Sequence, residues 1–198
     1  MLKSLFTLAT VFGFALSFAP RAQAEVSATV LSHPLIASVA IQTKVSALGL
    51  KWKVGDTADY KMNIGGFIDG TIHSYVREDN GTEIWVQQDA AIMGQNQKIE
   101  ILFEKATGQV KKILADGKDQ AIPDASNLEV VDQKEDQVTV PAGTFKAIYV
   151  KIKNKSDGKT QEAWINPQDV PINGMVKALA DSQFGQVTQE LTAKTFAP

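Results

Sequence analysis

From residue 51 onward the chain alternates apolar and polar residues in short runs, and turn residues separate one run from the next. In the run 98–103, for example, Ile99, Ile101 and Phe103 occupy every second position. Strict alternation of this kind predicts half-buried strands, and Asn80-Gly81 between two runs is a strong signal for a β-hairpin. The pattern therefore predicts antiparallel strands that follow one another through short turns.

Strand-like runs continue in the second half of the chain, after a looser segment at residues 123–127. We expect strands at 128–134, 137–140, 144–153 and 161–165, followed by a last hairpin formed by 175–179 and 186–191. Because each half of the chain is small on its own, we interpret the looser segment as a long loop within one domain. The sequence thus predicts a single, mainly antiparallel all-β domain at 25–198, folded as a curved sheet or half-barrel with at most one or two short helices.

Residues 25–49 permit two interpretations. Apolar residues at 35, 37, 39 and 41 follow the two-residue period of a strand, whereas those at 37, 41, 45 and 48 form the stripe of a helix. The β-branched content favours a strand, and Gly49 fits the C-cap of a helix. Both interpretations stay open.

The first 24 residues have the pattern of a secretory signal peptide. Lys3 supplies the positive charge, an apolar run covers 5–19, and Ala22-Gln23-Ala24 is a small-x-small cleavage site. The apolar run has about 15 residues, fewer than the roughly 20 that span a bilayer as a helix. Residue 25 is Glu25, not the cysteine of a lipid-anchored protein. We therefore expect cleavage after Ala24 and a periplasmic or secreted protein that does not span the membrane.

Composition narrows the chemistry further. The chain contains no cysteine, which excludes a disulfide framework, a thiolate zinc site and a cysteine nucleophile. Without the leader, 174 of the 198 residues and 18 of the 20 basic residues remain against 22 acidic ones, so the net charge changes from −2 to −4. An acidic chain is not expected to bind nucleic acid, and two isolated histidines do not make a transition-metal site. We expect neither a metal nor a cofactor.

Two groups of residues could support catalysis. One is His73 with the neighbouring Ser74 and Asp69, and the other is the pair of carboxylates Asp56 and Asp59. A Ser-His-Asp triad requires converging side chains, but consecutive residues of a strand point to opposite faces. The two carboxylates lie at a turn and a strand start, which explains them without an acid–base role. We therefore expect no enzyme, and a hydrolase with a carboxylate or His73 site ranks last among the alternatives.

A motif in the second half of the chain indicates a family. Val140-Pro141-Ala142-Gly143-Thr144-Phe145 is followed by Trp164-Ile165-Asn166-Pro167 and by Gly174-Met175-Val176-Lys177. Through this motif, residues 128–191 resemble uncharacterised exported bacterial β-proteins that are grouped as domains of unknown function, with a weaker echo at 52–60. Those proteins are similar to the half-barrels of periplasmic lipoprotein carriers and related lipid-binding proteins. The resemblance implies a half-barrel fold and assigns no catalytic residue.

Aromatic residues provide the remaining candidates for a site. A concave sheet can hold one hydrophobic ligand when its interior is too wide to fill with side chains. We predict that the protein binds a lipid or an acyl chain on its concave face, and that Trp85, Phe103, Phe145 and Trp164 line the site. The first alternative is an envelope protein in which these aromatics fill the core and a partner protein binds the sheet surface or an exposed edge strand.

Overall fold

The computed structural model describes residues 50–122, 125–182 and 184–198. The predicted signal peptide lies outside these described residues, and so does the segment 25–49, for which strand and helix were both open.

The described residues form eleven strands and one turn of 3-10 helix at Ala125–Asn127. In chain order the strands are β1 (Thr57–Ile64), β2 (Ile68–Asp79), β3 (Glu83–Ile92), β4 (Gln95–Glu104), β5 (Val110–Ala115), β6 (Lys118–Gln120), β7 (Leu128–Val140), β8 (Gly143–Asn154), β9 (Thr160–Ile165), β10 (Met175–Ser182) and β11 (Gly185–Thr195). They belong to one sheet in the order β6-β5-β4-β3-β2-β1-β11-β10-β9-β8-β7. The prediction of an all-β, antiparallel curved sheet is confirmed.

The sheet has one long-range pairing that holds its two halves together. Strands adjacent in the chain pair as hairpins on each side, and β1 pairs antiparallel with β11, which joins the first and last strands at the centre. Strands β6 and β7 lie at the two edges and do not pair with each other. The sheet is therefore open.

One expected boundary differs from the structure. Residues 128–134 and 137–140 are a single strand, β7, with a bulge between Val130 and Asp132. The polar segment between the two predicted strands contains no glycine or proline that would end a strand. Because β7 lies at an edge, its charged residues face solvent without interrupting the pairing with β8.

The connection between the two edges requires a strongly bent sheet. Eleven strands laid flat would span about 48 Å, since neighbouring strands lie about 4.8 Å apart. Residues 121–127 connect Gln120 at the end of β6 to Leu128 at the start of β7, and a chain of this length reaches at most about 29 Å. The two edges must therefore approach each other, and β7 also contacts β10 and β11, which are not its neighbours in the strand order.

The apolar residues lie on the inner face of the bent sheet. Along β1 the buried residues are Ala58, Tyr60, Met62 and Ile64, which occupy every second position. Residues opposite each other in a ladder point to the same face, so the pairing of Met62 with Gln189 extends this face onto β11. The period of two thus buries one side of each central strand, and residues 50–122, 125–182 and 184–198 contribute no layer of helices over it.

The outer face carries rows of charged residues. Lys61 and Lys177 each lie 2.9 Å from a carboxylate oxygen of Glu190, on neighbouring strands of the centre. Burial alone would raise the pKa of the Glu190 carboxyl, but the hydrogen bonds and charges of the two lysines hold it below its usual value. Glu100 has the same arrangement with Lys98 and Arg77.

A buried loop covers one end of the inner face. The loop connects β9 to β10, and its residues Val170 and Ile172 are each only 1% exposed. The tip of the β7–β8 hairpin contacts β11 at the same end, because the Ala142 amide donates to the Leu191 carbonyl oxygen at 3.1 Å. We call this the closed end of the sheet.

The side chain of Asn166 organises the loop at the closed end. Its Oδ1 atom accepts hydrogen bonds from the amides of Gln168 and Asp169, both at 3.0 Å, and its Nδ2 atom donates to the Lys146 carbonyl oxygen at 2.8 Å. Buried backbone groups need such partners. One asparagine therefore ties the loop to β8.

Candidate functional site

The inner face is divided by a strip of small side chains. Its apolar residues form a main cluster and a second cluster built from Val150, Ile152, Ala163 and Ile165. Ala163 belongs to the second cluster and Ala178, directly opposite on β10, belongs to the main one. Alanine side chains are too short to join the two clusters across the β9–β10 pair. We call the strip formed by Ala163, Ala178 and Ala180 the alanine trough.

Two glutamines flank the alanine trough. Gln189 lies opposite Ala178 on β11, and Gln161 lies opposite Ala180 on β9. Both side chains point to the inner face and are nearly inaccessible to solvent, at 3% and 6%. A polar side chain in an apolar interior costs free energy unless it is hydrogen-bonded, so an amide at this position requires an explanation.

Three oxygen atoms on the inner face accept no hydrogen bond from the described residues. They are Gln189 Oε1, beside the alanine trough, Ser74 Oγ on β2 and Gln97 Oε1 on β4. Ser74 is 1% exposed and lies opposite Gln88, and Gln97 lies opposite the buried Ala90. Buried polar atoms in native proteins are nearly always paired. These three oxygens are therefore the positions at which the inner face could receive a hydrogen-bond donor from a bound molecule.

The structure places one of the four predicted site residues apart from the other three. Phe103 and Phe145 belong to the main buried cluster, and Trp164 is partly buried and packs against the same cluster. Phe103 packs edge to face against Trp52, with the ring centroids 5.2 Å apart. Trp85 points to the outer face and is not among the residues of this cluster.

The two tryptophans make polar contacts at the outer surface. The Arg77 guanidinium lies 5.1 Å from the centre of the Trp85 ring. Trp164 donates from Nε1 to Asp136 at 2.7 Å, and its ring centroid lies 5.0 Å from that of Tyr149. These contacts stabilise the outer face, and the predicted role of the four residues in ligand binding stays a prediction.

The residues of the sequence motif form turns and loop contacts at one end of the sheet. Gly143 has a φ of 131° at the turn into β8, and Gly174 has a φ of 68° next to Pro167. The backbone amide of Asn166 donates to the Gly174 carbonyl oxygen at 2.7 Å and closes the base of the loop. The motif thus builds the closed end of the sheet.

The structure brings the candidate catalytic residues His73 and Asp59 together but separates them from Ser74, Asp69 and Asp56. His73 and Asp59 are opposite each other on β2 and β1, and Nδ1 of the histidine contacts the carboxylate on the exposed outer face. Ser74 points the other way, into the inner face. Asp69 accepts a hydrogen bond from Asn63 at 2.8 Å, and the Asp56 side chain accepts the amides of Lys53 and Ala197.

Within residues 50–122, 125–182 and 184–198, no three histidine, aspartate or glutamate side chains converge as metal ligands do. The same part of the chain has no helix with the length and hydrophobicity needed to cross a bilayer.

Sequence reasoning missed the alanine trough and Gln189. A signal was present, because Gln189 stands at the position where the alternation of Val187 and Leu191 requires an apolar residue. A single polar residue in such a series usually indicates a change of register, so its burial became evident only from the pairing of β11 with β1 and β10.

Comparisons with known proteins assign no activity to this chain. No family model matches the chain, and no curated protein matches it. A solved structure from Bacteroides fragilis, described as a proposed exported protein with a YmcC-like fold, shares 13% identity, with a TM-score of 0.45 over 75% of this chain and 99% of that one. The hypothetical protein CT021 from Chlamydia trachomatis shares 10% identity, with a TM-score of 0.48 over 79% of this chain and 92% of that one. Both are uncharacterised, and the family resemblance drawn from the sequence motif stays a prediction.

Proposed function

We propose that the protein binds an apolar ligand, a lipid or an acyl chain, on the inner face of its open sheet, and that it is not an enzyme. The observation that carries the proposal is the alanine trough, which separates two apolar clusters and has an unpaired oxygen of Gln189 at its border. In this proposal a hydrocarbon chain lies between the two apolar clusters, and a hydroxyl or amide of the same molecule donates to Gln189. Binding sites for small molecules commonly combine apolar walls with a few polar groups in this way.

The location follows from the leader. A chain with a cleavable signal and no lipid-attachment cysteine is expected in the periplasm or outside the cell. A non-catalytic carrier in that compartment requires a buried apolar surface and no reactive group on it, and the contact between His73 and Asp59 lies on the exposed outer face.

The edges of the sheet give less support to a protein-binding module. Strand β6 has three residues, all exposed, and β7 carries a bulge and four charged residues from 132 to 136. Short, charged or bulged edges are the features that prevent pairing with another chain.

Native mass spectrometry of the protein isolated from its own compartment tests the proposal directly. We expect a discrete added mass in the lipid range that organic solvent releases. A clean mass, together with no binding of a fluorescent fatty acid at micromolar protein, would contradict the proposal.

Substitutions locate the ligand. Ala178→Leu fills the alanine trough and is expected to weaken binding of the fluorescent fatty acid, whereas Ala193→Leu adds the same atoms at an exposed position of β11 and leaves binding unchanged. Because overpacking can destabilise a core, Gln189→Leu is the second variant. It removes the unpaired oxygen, so we expect the ligand-free protein to become more stable while ligand affinity falls. Increased stability with unchanged affinity would indicate a core that binds nothing at Gln189.

A further inference from the structure

Three large apolar side chains project from turns at the end of the sheet opposite the closed end. Phe67 lies in the β1–β2 turn and is 70% exposed, Met93 lies in the β3–β4 turn and is 69% exposed, and Phe184 lies in the β10–β11 turn and is 40% exposed. Isolated exposed apolar residues are ordinary, but several together indicate an interaction surface. We call these three residues the apolar rim.

The three turns are neighbours in space although they are distant in sequence. The Gly65 amide donates to the Gln186 carbonyl oxygen at 2.9 Å, and a Cβ atom at Gly65 would collide with the Phe184 carbonyl oxygen and the Phe67 ring. Ile92 pairs with Gly70, which places the β3–β4 turn beside the start of β2. Turns from three consecutive hairpins of the sheet order therefore form one row.

The charge distribution distinguishes the rim from its surroundings. The segments 64–68, 92–95 and 182–185 contain no charged residue. The turns on either side are charged: Asp116 and Lys118 flank the rim on one side, and Lys155, Asp157 and Lys159 flank it on the other. The exposed Asp69 and Asp181 adjoin the rim segments, so with three lysines and four aspartates these residues together carry a net charge of −1, which leaves the surface that faces the same way nearly neutral.

We propose that the apolar rim inserts into the surface of a lipid bilayer. Its side chains stand on separate convex turns instead of lining a groove or a flat face, and a protein partner would need a separate pocket for each turn. Fluid acyl chains accommodate separate side chains without such pockets. The nearly neutral flanks match a zwitterionic lipid surface, so the binding depends on apolar contact and not on charge.

The position of the rim determines which part of the sheet a bound bilayer approaches. The closed end is covered by a buried loop, whereas the described residues of the rim form only short exposed turns. A bilayer bound at the rim lies next to the end of the inner face where the described residues form only short turns. The docking goes beyond the proposed ligand binding and does not depend on it, because a protein with a filled core would dock equally well.

The absence of cysteine allows a local measurement. In the isolated protein, Met93→Cys provides one attachment point for an environment-sensitive fluorophore at the rim, and Ala106→Cys provides a matched point in the exposed β4–β5 turn at the closed end. With phosphatidylcholine vesicles that carry a quencher on their acyl chains, we expect a blue shift and quenching for the label at 93 and neither for the label at 106. No change at 93, or equal changes at both positions, would overturn the proposal.

Substitutions at the rim test whether its phenyl rings carry the contact. We expect Phe67→Ser with Phe184→Ser to weaken vesicle binding of the protein labelled at 93 by at least about tenfold, because each exposed ring loses its burial in lipid. The matched variant Phe196→Ser removes a phenyl ring that is 50% exposed at the other end of β11 and should leave binding unchanged. Increasing the salt concentration from about 0.05 to 0.5 M, which shortens the screening length several-fold, should change binding by less than about twofold.

Two results would overturn the contact as proposed. One is vesicle binding that does not depend on the rim as proposed, either because high salt abolishes it or because the double variant still binds. The other is a label at 93 that is shielded by a co-purifying protein and never by vesicles, which would make the rim a protein interface. The fatty-acid affinity of the double variant is measured as well. If it equals that of the wild type, any loss of vesicle binding is a loss of docking and not of ligand binding.

Discussion

The two ends of the sheet connect their antiparallel strands in opposite ways. At the closed end, the β9–β10 loop runs through the interior, and Asn166 supplies hydrogen bonds to its backbone. At the apolar rim, turns of only a few residues connect the strands and leave their backbone in water. The comparison shows that a buried loop depends on specific side chains, whereas an exposed turn depends mainly on backbone geometry.

Burial explains this difference. A backbone amide or carbonyl in water loses nothing if the protein offers no partner, but the same group in the interior must be paired. The rim is therefore free to carry apolar side chains outward, because its glycines at 65, 66 and 94, all with positive φ, complete short exposed turns.

The largest expected difference between the two ends concerns a matched pair of glycines. Gly174 at the closed end has a φ of 68° and Gly94 at the rim has a φ of 74°. A Cβ atom at Gly174 would lie 2.6 Å from the Pro167 nitrogen, whereas one at Gly94 would meet nothing within 4 Å. A left-handed alanine costs about 1–2 kcal/mol, and overpacking adds about 1–3 kcal/mol.

We therefore expect Gly174→Ala to lower the free energy of unfolding by about 2–5 kcal/mol and Gly94→Ala by about 1–2 kcal/mol. Denaturant unfolding monitored by tryptophan fluorescence measures both. Equal losses would mean that the closed end is not tightly packed and would remove the distinction between the two ends.

The second prediction compares two asparagines, one near each end of the sheet. Asn63 near the rim donates to Asp69 and accepts the Gly66 amide, both at 2.8 Å, in an exposed setting. Asn166 makes its hydrogen bonds at 9% exposure. Removing a buried partner leaves unpaired groups at a cost of about 2–3 kcal/mol, and an exposed bond is worth about 0.5–1 kcal/mol.

Asn166→Ala should accordingly lower the free energy of unfolding by about 2–3 kcal/mol, and Asn63→Ala by about 0.5–1 kcal/mol. Urea titrations of both variants at the same pH give the comparison. A smaller effect at Asn166 than at Asn63 would contradict the assignment of the loop as a buried, hydrogen-bonded cover.

The smallest expected effect is a pH dependence that belongs to the closed end. The hydrogen bond from Lys105 and the Gly81 amide hold the pKa of the Asp79 carboxyl below its usual value. A carboxyl whose pKa is lower in the folded state stabilises the protein above its unfolded pKa of about 3.9, and this contribution is lost as the pH falls through the lower folded value.

Asp79→Asn should thus be slightly less stable than the wild type near pH 6, and the difference should vanish at a pH below the folded pKa of Asp79. The matched variant Gly94→Ala removes no titrating group, so its cost should stay constant over the same range. Unfolding curves recorded from pH 6 to acid test both statements, and an Asp79→Asn difference that does not depend on pH would refute the first.

Local pattern was sufficient for much of the fold. The alternation around Ile99, Ile101 and Phe103 predicted the inner face of β4, because side chains of a strand alternate between faces whatever its neighbours are. The turn at Asn80-Gly81 was predicted for the same local reason. The sequence did not predict that two expected strands merge into β7. A strand at the edge of a sheet tolerates charged residues, and the position of a strand in the sheet is not visible in its local pattern.

The candidate site was less accessible from sequence. Aromatic residues were expected to line one concave face, yet Trp85 lies on the outer face while Phe103 is buried inside. Their assignment to one site required knowing which face of each strand becomes inner, and the bend of the sheet decides that.

By itself, the sequence determined the class of fold, most strand positions and the residues that alternate between two faces, because these follow from the geometry of each strand and turn. The tertiary structure alone decided that β1 pairs with β11, that Ala163 meets Ala178, and that the turns holding Phe67, Met93 and Phe184 form one row. These contacts join residues far apart in the chain. They depend on the register and bending of the whole sheet, which no local pattern specifies.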